Sequence, residues 1–442
     1  MSAAPAPASL ADWLEHLEQL HPLGQAGIEL GLERVRQVKD LLQQSQHCPV
    51  ITVGGTNGKG STCAYLQNIL LRAGYKVGCY TSPHLLRYNE RVRLNGVPAD
   101  DDLLCAAFAR VEAARQASGV ALTYFEFGTL AAWEVFAAAG VEVAILEVGL
   151  GGRLDAVNVY EPDVAVITSV ALDHTAWLGD DRDSIGYEKA GIFRAGKPAL
   201  CADPQPPQGL LQQAAALGAD LRLLGRDFGF EKAAAGTAEN RWQWRWWCRR
   251  PDGQVLRRPL AYPGLRGATQ LFNASVALAA LEALGDRLPV TMQAIRPGLI
   301  ETELCGRFQV IPGKPSIVLD VGHNPQALAV LADNLGNMGF FNRTHAVLGM
   351  LSDKDIENAL LPLRDKIDVW HLASLPGPRG TPAATLAEIL AGLGVAGEVF
   401  CHDSPQQAMQ AAREAAAESD RILAFGSFYT VAGALQVLGR TA

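Results

Sequence analysis

Short, continuously apolar runs alternate with segments of helical periodicity through most of the chain. The runs CPVITV, KVGCYTS, VEVAILEV and DVAVITSV are rich in β-branched residues, and STCAYLQNILLRAG, which ends at Gly74, has helical spacing. Because such runs carry no polar face, they predict parallel strands that are buried between helices. The expected fold class is therefore α/β, with a doubly wound N-terminal domain.

The C-terminal third of the chain repeats the same alternation on a smaller scale. From Thr302 onward, strand–loop–helix units recur in PSIVLDVGHNPQALAVLADNL, THAVLGMLSDKD and RILAFGSFYTVAGAL. At 442 residues the chain also exceeds the length at which a single core keeps growing. We therefore predict two domains, residues 1–299 and a smaller Rossmann-like α/β domain at 300–442, joined near IRPGLIETELCGRF.

A segment at about residues 227–262 breaks this pattern and predicts an inserted β-hairpin. Trp242, Trp244 and Trp246 alternate with Arg241, Gln243 and Arg245, and PDGQ is a turn signal between two strands. Interleaved Trp and Arg side chains are able to stack on nucleic-acid bases. A hairpin that lays its tryptophans against the domain is the favoured interpretation.

Composition and charge narrow the class of protein. Apolar residues make up 49% of the chain and charged residues 19%. The net charge is −8 and the sequence has no basic run, so no nucleic-acid partner is expected. A local basic pocket for an anionic ligand stays an alternative. The eight cysteines include no CxxC pair and are expected to be reduced thiols. No segment resembles a secretory signal or a bilayer span, so no membrane partner and a cytoplasmic location are expected.

The stretch VITVGGTNGKGSTCAYLQNILLRAGYKV predicts a phosphate-binding loop between a strand and a helix. Glycines let the main chain approach an anion, Lys59 supplies a positive charge, and Ser61 or Thr62 is able to reach a phosphate or Mg²⁺. Gly60 stands between Lys59 and Ser61, whereas the usual P-loop has Ser or Thr directly after its Lys. The alternative is a tight turn with a solvent-facing lysine.

Three further strand ends carry side chains suited to a magnesium site. ILEVGLGGRLDAVN delivers Glu147 into a glycine-rich turn, ALDHTAWLG presents Asp173 and His174, and TSPHL offers the hydroxyl of Ser82. Ligands of α/β sheets bind at the carboxyl ends of the strands, and Mg²⁺ prefers oxygen donors. The alternatives are a capping role for Glu147 and a structural role for His174.

Other candidate residues are less specific by themselves. DSIGYEKAGIFRAGKPAL places Glu188 and Lys189 on a short helix, where an exposed lysine is the plain alternative. LDVGHNP puts Asp320 and His323 in a strand-to-helix loop, with Pro325 suited to the first helical turn. Asp320 is suited to accept a ribose hydroxyl hydrogen bond, and Arg307 to contact a phosphate.

The motifs together closely resemble one family. GTNGKGS, TSPHL, YFEFGT, LEVGLGGRLDA, ALDHTAWLG, EKAGIF, GRFQ and DVGHNP occur in the order found in bacterial folylpolyglutamate synthase/dihydrofolate synthase, of the Mur ligase superfamily. The likeness runs from about Asp12 to FGSFYTVAGAL. GTNGKG[ST], with its extra glycine, resembles the folate branch, whereas Mur ligases typically have GTNGKT. About fifty residues precede the loop, too few for the nucleotide-sugar domain of a Mur ligase. Gly322 departs from the commoner DVAHNP pattern.

The resemblance implies a role for each matching residue. Lys59, Lys189 and His323 would be catalytic, with Lys189 carbamylated, an anion beside the metal site. Ser82, Glu147 and His174 would bind two Mg²⁺ ions. ATP would be bound by Thr56, Asn57, Gly58, Lys59, Gly60, Ser61, Asn273, Arg307 and Asp320. The pterin substrate would be bound by Thr123, Tyr124, Phe125, Glu126, Arg153, Leu154, Asp155 and Ala156.

The resemblance also implies an ATP-dependent ligase that adds L-glutamate to dihydropteroate and to tetrahydrofolate through an acyl phosphate. Its partners would be these small molecules, and a monomer would suit two domains that close on each other. Three alternatives stay open: a P-loop kinase, a Mur-type ligase acting on a nucleotide-sugar precursor, and an ATP-binding protein without turnover.

Overall fold

The structure is a computed structural model, and it describes residues 7–21, 27–232, 243–250 and 252–441. The chain divides into two compact units. The first comprises residues 1–170, 178–262 and 271–302, and the second comprises 171–177, 263–270 and 303–442. The two short segments 171–177 and 263–270 therefore belong to the C-terminal unit although they precede it in the sequence.

The first unit is built on a sheet of eight strands in the order β4-β3-β2-β5-β1-β6-β7-β8. The strands are β1 Val50–Gly54, β2 Val77–Tyr80, β3 Val92–Leu94, β4 Val97–Pro98, β5 Val143–Glu147, β6 Val164–Ile167, β7 Pro198–Cys201 and β8 Asp220–Leu223. All pairings are parallel except those of β3 with β2 and β4. The predicted doubly wound α/β fold is confirmed.

The helices up to residue 302 are α1 Leu10–Leu20, α2 Glu33–Leu41, α3 Lys59–Arg72, α4 Asp101–Ser118, α5 Tyr124–Ala139, α6 Thr175–Leu178, α7 Arg182–Ala190, α8 Gln208–Leu217, α9 Gln270–Ala283 and α10 Met292–Ile300. They belong to the first unit, apart from most of α6 and the first residue of α9, which belong to the second. All five residues of β1 and of β5 are buried, because helices lie on both faces of central parallel strands.

The register of the central strands positions the candidate site. Val53 of β1 pairs with Glu147 of β5 and with Val166 of β6. Since the three strands are parallel, their carboxyl ends meet at one edge of the sheet. Glu147, the glycine loop after β1 and the residues that follow β6 therefore lie side by side.

The predicted hairpin forms part of a separate three-stranded antiparallel sheet. Its strands are β9 Phe228–Lys232, β10 Gln243–Arg249 and β11 Val255–Ala261. Trp244 and Trp246 are buried, and their indole N–H groups donate to the carbonyl oxygens of Ala261 and Ser275. These two tryptophans are therefore core residues and are not available to stack on bases, while Trp242 and Arg241 lie outside the described residues.

The second unit contains a six-stranded sheet in the order β12-β13-β17-β14-β15-β16. Its strands are β12 Gln309–Ile311, β13 Ser316–Asp320, β14 Thr344–Leu348, β15 Val369–Ala373, β16 Glu398–His402 and β17 Arg421–Phe425. Its helices are α11 Pro325–Gly336, α12 Ile356–Leu360, α13 Ala383–Gly392, α14 Pro405–Ala415 and α15 Phe428–Val437. Only β12 is antiparallel to its neighbour among these strands, and Pro325 begins α11 as predicted.

Three histidines on neighbouring strands of this sheet form a chain of stacked rings, which we call the histidine ladder: His345, His371 and His402. His345 Nδ1 is 3.5 Å from His371 Nε2, and His371 Nδ1 is 3.3 Å from His402 Nε2. The planes are inclined by 18° and 25°, and His345 Nε2 lies 3.5 Å from a carboxylate oxygen of Asp420. His345 and His371 are buried. Burial accordingly lowers the pKa of His371 to about 4 and lowers those of His345 and His402.

The structure bears on two expectations from the sequence, those about membrane-spanning segments and about cysteines. Within the ranges that the structure describes, no helix is both long and apolar enough to cross a membrane. All eight cysteines lie in those ranges, and each is a free thiol.

Candidate nucleotide and metal site

The loop between β1 and α3 adopts a conformation that glycine allows. Gly55 and Gly58 have φ values of 139° and 92°. A Cβ atom on Gly58 would lie 2.4 Å from Asn273 Oδ1, and one on Gly55 would lie 2.0 Å from Thr168 Oγ1. Close approach and positive φ thus both require glycine here. The structure also brings Asn273, a predicted nucleotide-binding residue of α9, against the loop.

Two residues that follow β6, which the sequence analysis did not single out, hold this loop. Thr168 Oγ1 donates to the Asn57 carbonyl oxygen at 2.7 Å, and the Thr56 amide donates to the Ser169 carbonyl oxygen at 2.8 Å. Ser169 Oγ accepts from the Asn57 amide at 3.0 Å. Since the loop has few side chains of its own, these bonds fix the direction of its amides. The adjacent Thr–Ser pair at a strand end was the only sequence signal.

Two lysines converge on the same loop. Lys59 Nζ donates to the carbonyl oxygens of Gly55 at 3.1 Å and Thr56 at 3.2 Å. Lys189 Nζ, from α7, donates to the Gly55 carbonyl oxygen at 3.2 Å and belongs to a side chain that is buried. The plain alternative of an exposed Lys189 is therefore wrong, while Lys59 is half-buried with its amine bound to its own loop.

Ser82 and Glu147 lie together at the same edge of the sheet. The Ser82 amide donates to Glu147 Oε2 at 3.2 Å, and the Glu147 side chain is buried. A seryl hydroxyl and a buried carboxylate are the hard oxygen donors that Mg²⁺ prefers. Within the described residues, no three His, Cys, Asp or Glu side chains are grouped so as to hold a metal. The donors of this pair suit Mg²⁺, and its role as a metal site stays a prediction.

The third predicted metal ligand, His174, belongs to the second unit, in the segment 171–177. Its neighbour Asp173 is 2.7 Å from Lys354 Nζ and 3.6 Å from His323 Nε2. Burial favours the neutral acid, but contact with His323 and the charge of Lys354 hold the pKa of Asp173 well below its usual range. Lys354 had no sequence signal beyond its place after a strand.

Asp320 ends β13 and is held by backbone amides. Its carboxylate accepts from the Phe308 amide at 2.8 Å and from the Gly322 amide at 2.7 Å, while burial raises its pKa. Arg307, the residue before Phe308, lies over the Phe428 ring at 5.2 Å. A Cβ atom on Gly322 would be 2.7 Å from Asp320 Oδ1, so the departure at Gly322 leaves room for this carboxylate.

The first predicted pterin segment begins α5 and makes structural hydrogen bonds. Thr123 Oγ1 accepts from the Glu126 amide at 3.2 Å, and Glu126 Oε2 accepts from the Thr123 amide at 2.8 Å, which is a capping box. Glu126 also pairs with Arg34 at 2.8 Å. Tyr124 packs its ring near Arg91, and the Phe125 ring covers Gly149. A role for these four residues in substrate binding stays a prediction.

The second predicted pterin segment connects the turn after β5 to α7. Arg153 pairs with Glu188 at 2.8 Å, one residue before Lys189. Asp155 accepts from the amides of Leu150 and Val157, and burial raises its pKa to about 7. The Leu154 carbonyl accepts from the Gly31 amide. Ala156 is buried at the start of a 3₁₀ helix, and a role for these four residues in substrate binding stays a prediction.

Two families of known proteins match this chain over the regions that carry the loop and the second sheet. The Mur ligase middle domain family matches residues 53–202, and the Mur ligase glutamate ligase domain family matches residues 306–428. The fold and the loop thus define a Mur-type ligase. The Escherichia coli K12 dihydrofolate synthase/folylpolyglutamate synthase is 44% identical over 98% of this chain and 96% of its own length. The chain belongs to the dihydrofolate synthase/folylpolyglutamate synthase family, as its motifs predicted.

Solved structures of relatives superpose on this chain over nearly its whole length. The Escherichia coli FolC protein in complex with DHPP and ADP superposes with a TM-score of 0.89, at 44% identity, covering 99% of each chain. A bifunctional folylpolyglutamate synthase/dihydrofolate synthase with Mn, AMPPNP and L-glutamate bound gives a TM-score of 0.87 at 44% identity, again covering 99% of each chain. The predicted fold of two α/β parts is therefore confirmed.

Proposed function

We propose that this chain is an ATP-dependent ligase that adds L-glutamate to dihydropteroate and to tetrahydrofolate. The observation that carries the proposal is the glycine loop with Lys59 at the start of α3, beside the Ser82–Glu147 pair. A relative of 44% identity has been solved with Mn, AMPPNP and L-glutamate, and another with DHPP and ADP. These ligands are the chemical classes that the proposed reaction needs.

The loop binds the triphosphate in this proposal. Amides at the start of α3 have no intrahelical partner and lie at the positive end of the helix dipole, so they attract phosphate oxygens. Lys59 turns from the carbonyl oxygens of its own loop towards the outer phosphates. Ser82 and Glu147 would hold Mg²⁺, whose charge would offset that of the phosphates, and His174 stays a predicted further ligand.

The reaction proceeds in two steps. A carboxylate oxygen of the pteroate or folate attacks the γ-phosphorus of ATP, which forms an acyl phosphate and releases ADP. The α-amine of glutamate then attacks the acyl carbon, and phosphate leaves as the amide forms. Lys59 and the loop amides stabilise the charge that develops on the transferred phosphoryl group. Arg307 and Asp320 stay predicted ATP-binding residues, and His323 a predicted catalytic residue.

Lys189 acts as a carbamate in this proposal. Its amine reaches the Gly55 carbonyl oxygen beside the ammonium group of Lys59, and its side chain is buried. Two ammonium groups at one oxygen repel each other, whereas a carbamate anion is attracted by Lys59 and by a metal ion. The Arg153–Glu188 pair holds the helix turn that carries Lys189.

The deciding experiment measures ADP release with and without L-glutamate, using dihydropteroate and tetrahydrofolate as alternative acceptors. Glutamate-dependent release with both supports the bifunctional ligase. Release that ignores glutamate indicates a kinase, and release that requires a nucleotide-sugar acceptor indicates a Mur-type ligase. If the chain binds ATP but releases no ADP with any of these acceptors, it is an ATP-binding protein without turnover.

The monomeric state and the cytoplasmic location stay predictions from the sequence. Light scattering of the purified chain tests the first. Fractionation of the source cells tests the second. The length of the glutamate chain is read from the products of the same assay by mass spectrometry.

A further inference from the structure

Lys354 is a buried cation that the proposed reaction does not yet use. Only 6% of its side chain is exposed, and its Nζ atom is 2.7 Å from Asp173 Oδ1. It lies on the loop between β14 and α12, whereas Asp173 lies on the segment 171–177. Both belong to the second unit, so the ion pair joins two loops of one compact body.

Further contacts of the Asp173 carboxylate support its ion pair with Lys354. Oδ1 also accepts from the His174 amide at 2.9 Å, and Oδ2 accepts from Asn324 Nδ2 at 3.2 Å. His323 Nε2 is 3.6 Å from Oδ2. A buried ion pair is stable only when its remaining lone pairs are satisfied, and this carboxylate meets that condition. Removal of the lysine would leave a buried carboxylate without its cation.

The ion pair between Lys354 and Asp173 holds the backbone of His174 in an unusual conformation. His174 has φ of 53°, in the left-handed region that a residue with a side chain seldom adopts. Such a conformation persists only where surrounding contacts impose it. The His174 amide donates to the carboxylate that Lys354 holds, so the direction of the His174 side chain depends on the ion pair.

We propose that Lys354 is a positioning residue that acts through Asp173 to fix His174 in the direction needed for metal binding. The proposal rests on the proposed role of His174 as a magnesium ligand. Residues that orient a metal ligand without touching the metal contribute strongly to affinity. Lys354 also lies 3.5 Å from His174 Nε2, so it limits the ring directly as well.

The test compares three variants of the full chain. Lys354→Met removes the charge and keeps a long side chain, and Lys354→Arg keeps the charge. Lys366→Met is the matched control, because Lys366 is an exposed lysine of the same unit. Hydrogen exchange of peptides covering residues 171–177 reports the loop, and titration with Mn²⁺ monitored by electron paramagnetic resonance reports metal affinity. Steady-state kinetics add KM and kcat.

We expect Lys354→Met to exchange faster in segment 171–177 and to bind Mn²⁺ about tenfold to a hundredfold more weakly. Its kcat should fall, because the proposed metal site stabilises the charge of the transferred phosphoryl group. Lys354→Arg should restore most of the protection, and Lys366→Met should match the unmodified chain.

Unchanged exchange in Lys354→Met, together with lost turnover, overturns the proposal and assigns Lys354 a direct contact with substrate. Unchanged Mn²⁺ affinity overturns it as well. A failure of the proposed function is distinguishable, since the unmodified chain would then release no ADP in response to glutamate while the exchange comparison still reports the ion pair.

Discussion

Lys59 and Lys189 donate hydrogen bonds to the same atom, the Gly55 carbonyl oxygen, at 3.1 and 3.2 Å. One lysine begins the helix after the glycine loop and the other comes from α7, 130 positions further along the chain. Two basic groups, one of them buried, thus meet at the glycine loop, and the proposed function assigns them the roles of an ammonium and a carbamate. The first two predictions test these two roles.

Lys59→Met should lose nearly all turnover and keep the fold. The loss follows because the loop amides alone do not neutralise the outer phosphates, and removal of one such group costs about a hundredfold or more in kcat. Steady-state ADP release measures the loss, and circular dichroism checks the fold. Lys76→Met, at an exposed lysine of the same unit, is the control. A near-normal kcat in Lys59→Met would remove the loop from the mechanism.

Lys189→Ala should be inactive but partly rescued by formate or acetate. A small carboxylate is able to enter the space left by the buried side chain and replace the anionic end of a carbamate. Lys59→Ala should show no such rescue, because its missing charge is positive. Nuclear magnetic resonance with ¹³C-bicarbonate should detect a carbamate in the unmodified chain. If Lys189→Ala keeps full activity without carboxylates, the proposed role is wrong.

Gly58→Ala and Gly74→Ala form a matched pair. Both glycines have φ of 92°, but a Cβ on Gly58 would lie 2.4 Å from Asn273 Oδ1 whereas one on Gly74 meets nothing within 4 Å. Each substitution should cost about 1–2 kcal/mol in unfolding free energy through backbone strain. Only Gly58→Ala should weaken ATP binding, as measured by calorimetry. Equal ATP affinity in the two variants would contradict the proposed position of the nucleotide.

The histidine ladder should make the second unit sensitive to acid. The pKa of His371 is lowered to about 4, so the unfolded chain takes up a proton as pH falls below about 6.5 while the folded chain does not. Stability is therefore full above pH 6.5 and falls as the pH drops towards 4. At pH 5.0 we expect a loss of about 2 kcal/mol from this residue, because that pH lies about 1.5 units below the pKa of the unfolded histidine and each unit is worth about 1.4 kcal/mol.

The comparison that isolates this effect uses His371→Phe, which keeps a planar ring beside Phe400. Denaturant unfolding at pH 7.5 and 5.0 should show a smaller acid loss in this variant than in the unmodified chain. His47→Gln, at an exposed histidine of the first unit, should behave as the unmodified chain does. Asp420, Asp368, Arg343, Glu398 and Asp403 also face the ladder, and they are common to all three proteins. An identical acid loss in His371→Phe would contradict the assignment.

Much of the site was predictable because its signals are local. A strand, a glycine turn and a helix follow one another at residues 50–72, and the glycines, Lys59 and the helix start that define the loop all lie within that run. The positions of Asp320 and Pro325 were likewise predictable, because a strand end and a helix start each have a short sequence signature. Hydrophobic periodicity is also a local signal. It was therefore enough to predict the alternation of strands and helices, and the fold class that follows from it.

The sequence by itself thus determined the elements, the phosphate loop and the motifs that identify the family. Only the tertiary structure decided which distant side chains complete them: Thr168 lies 111 positions from the Asn57 carbonyl that it binds, Arg34 lies 92 from Glu126, and Lys354 lies 181 from Asp173. Periodicity reports which face of an element is buried, but not which partner it meets there. Such partners are chosen by the order of strands in the sheet and by the burial that makes an unpaired charge costly.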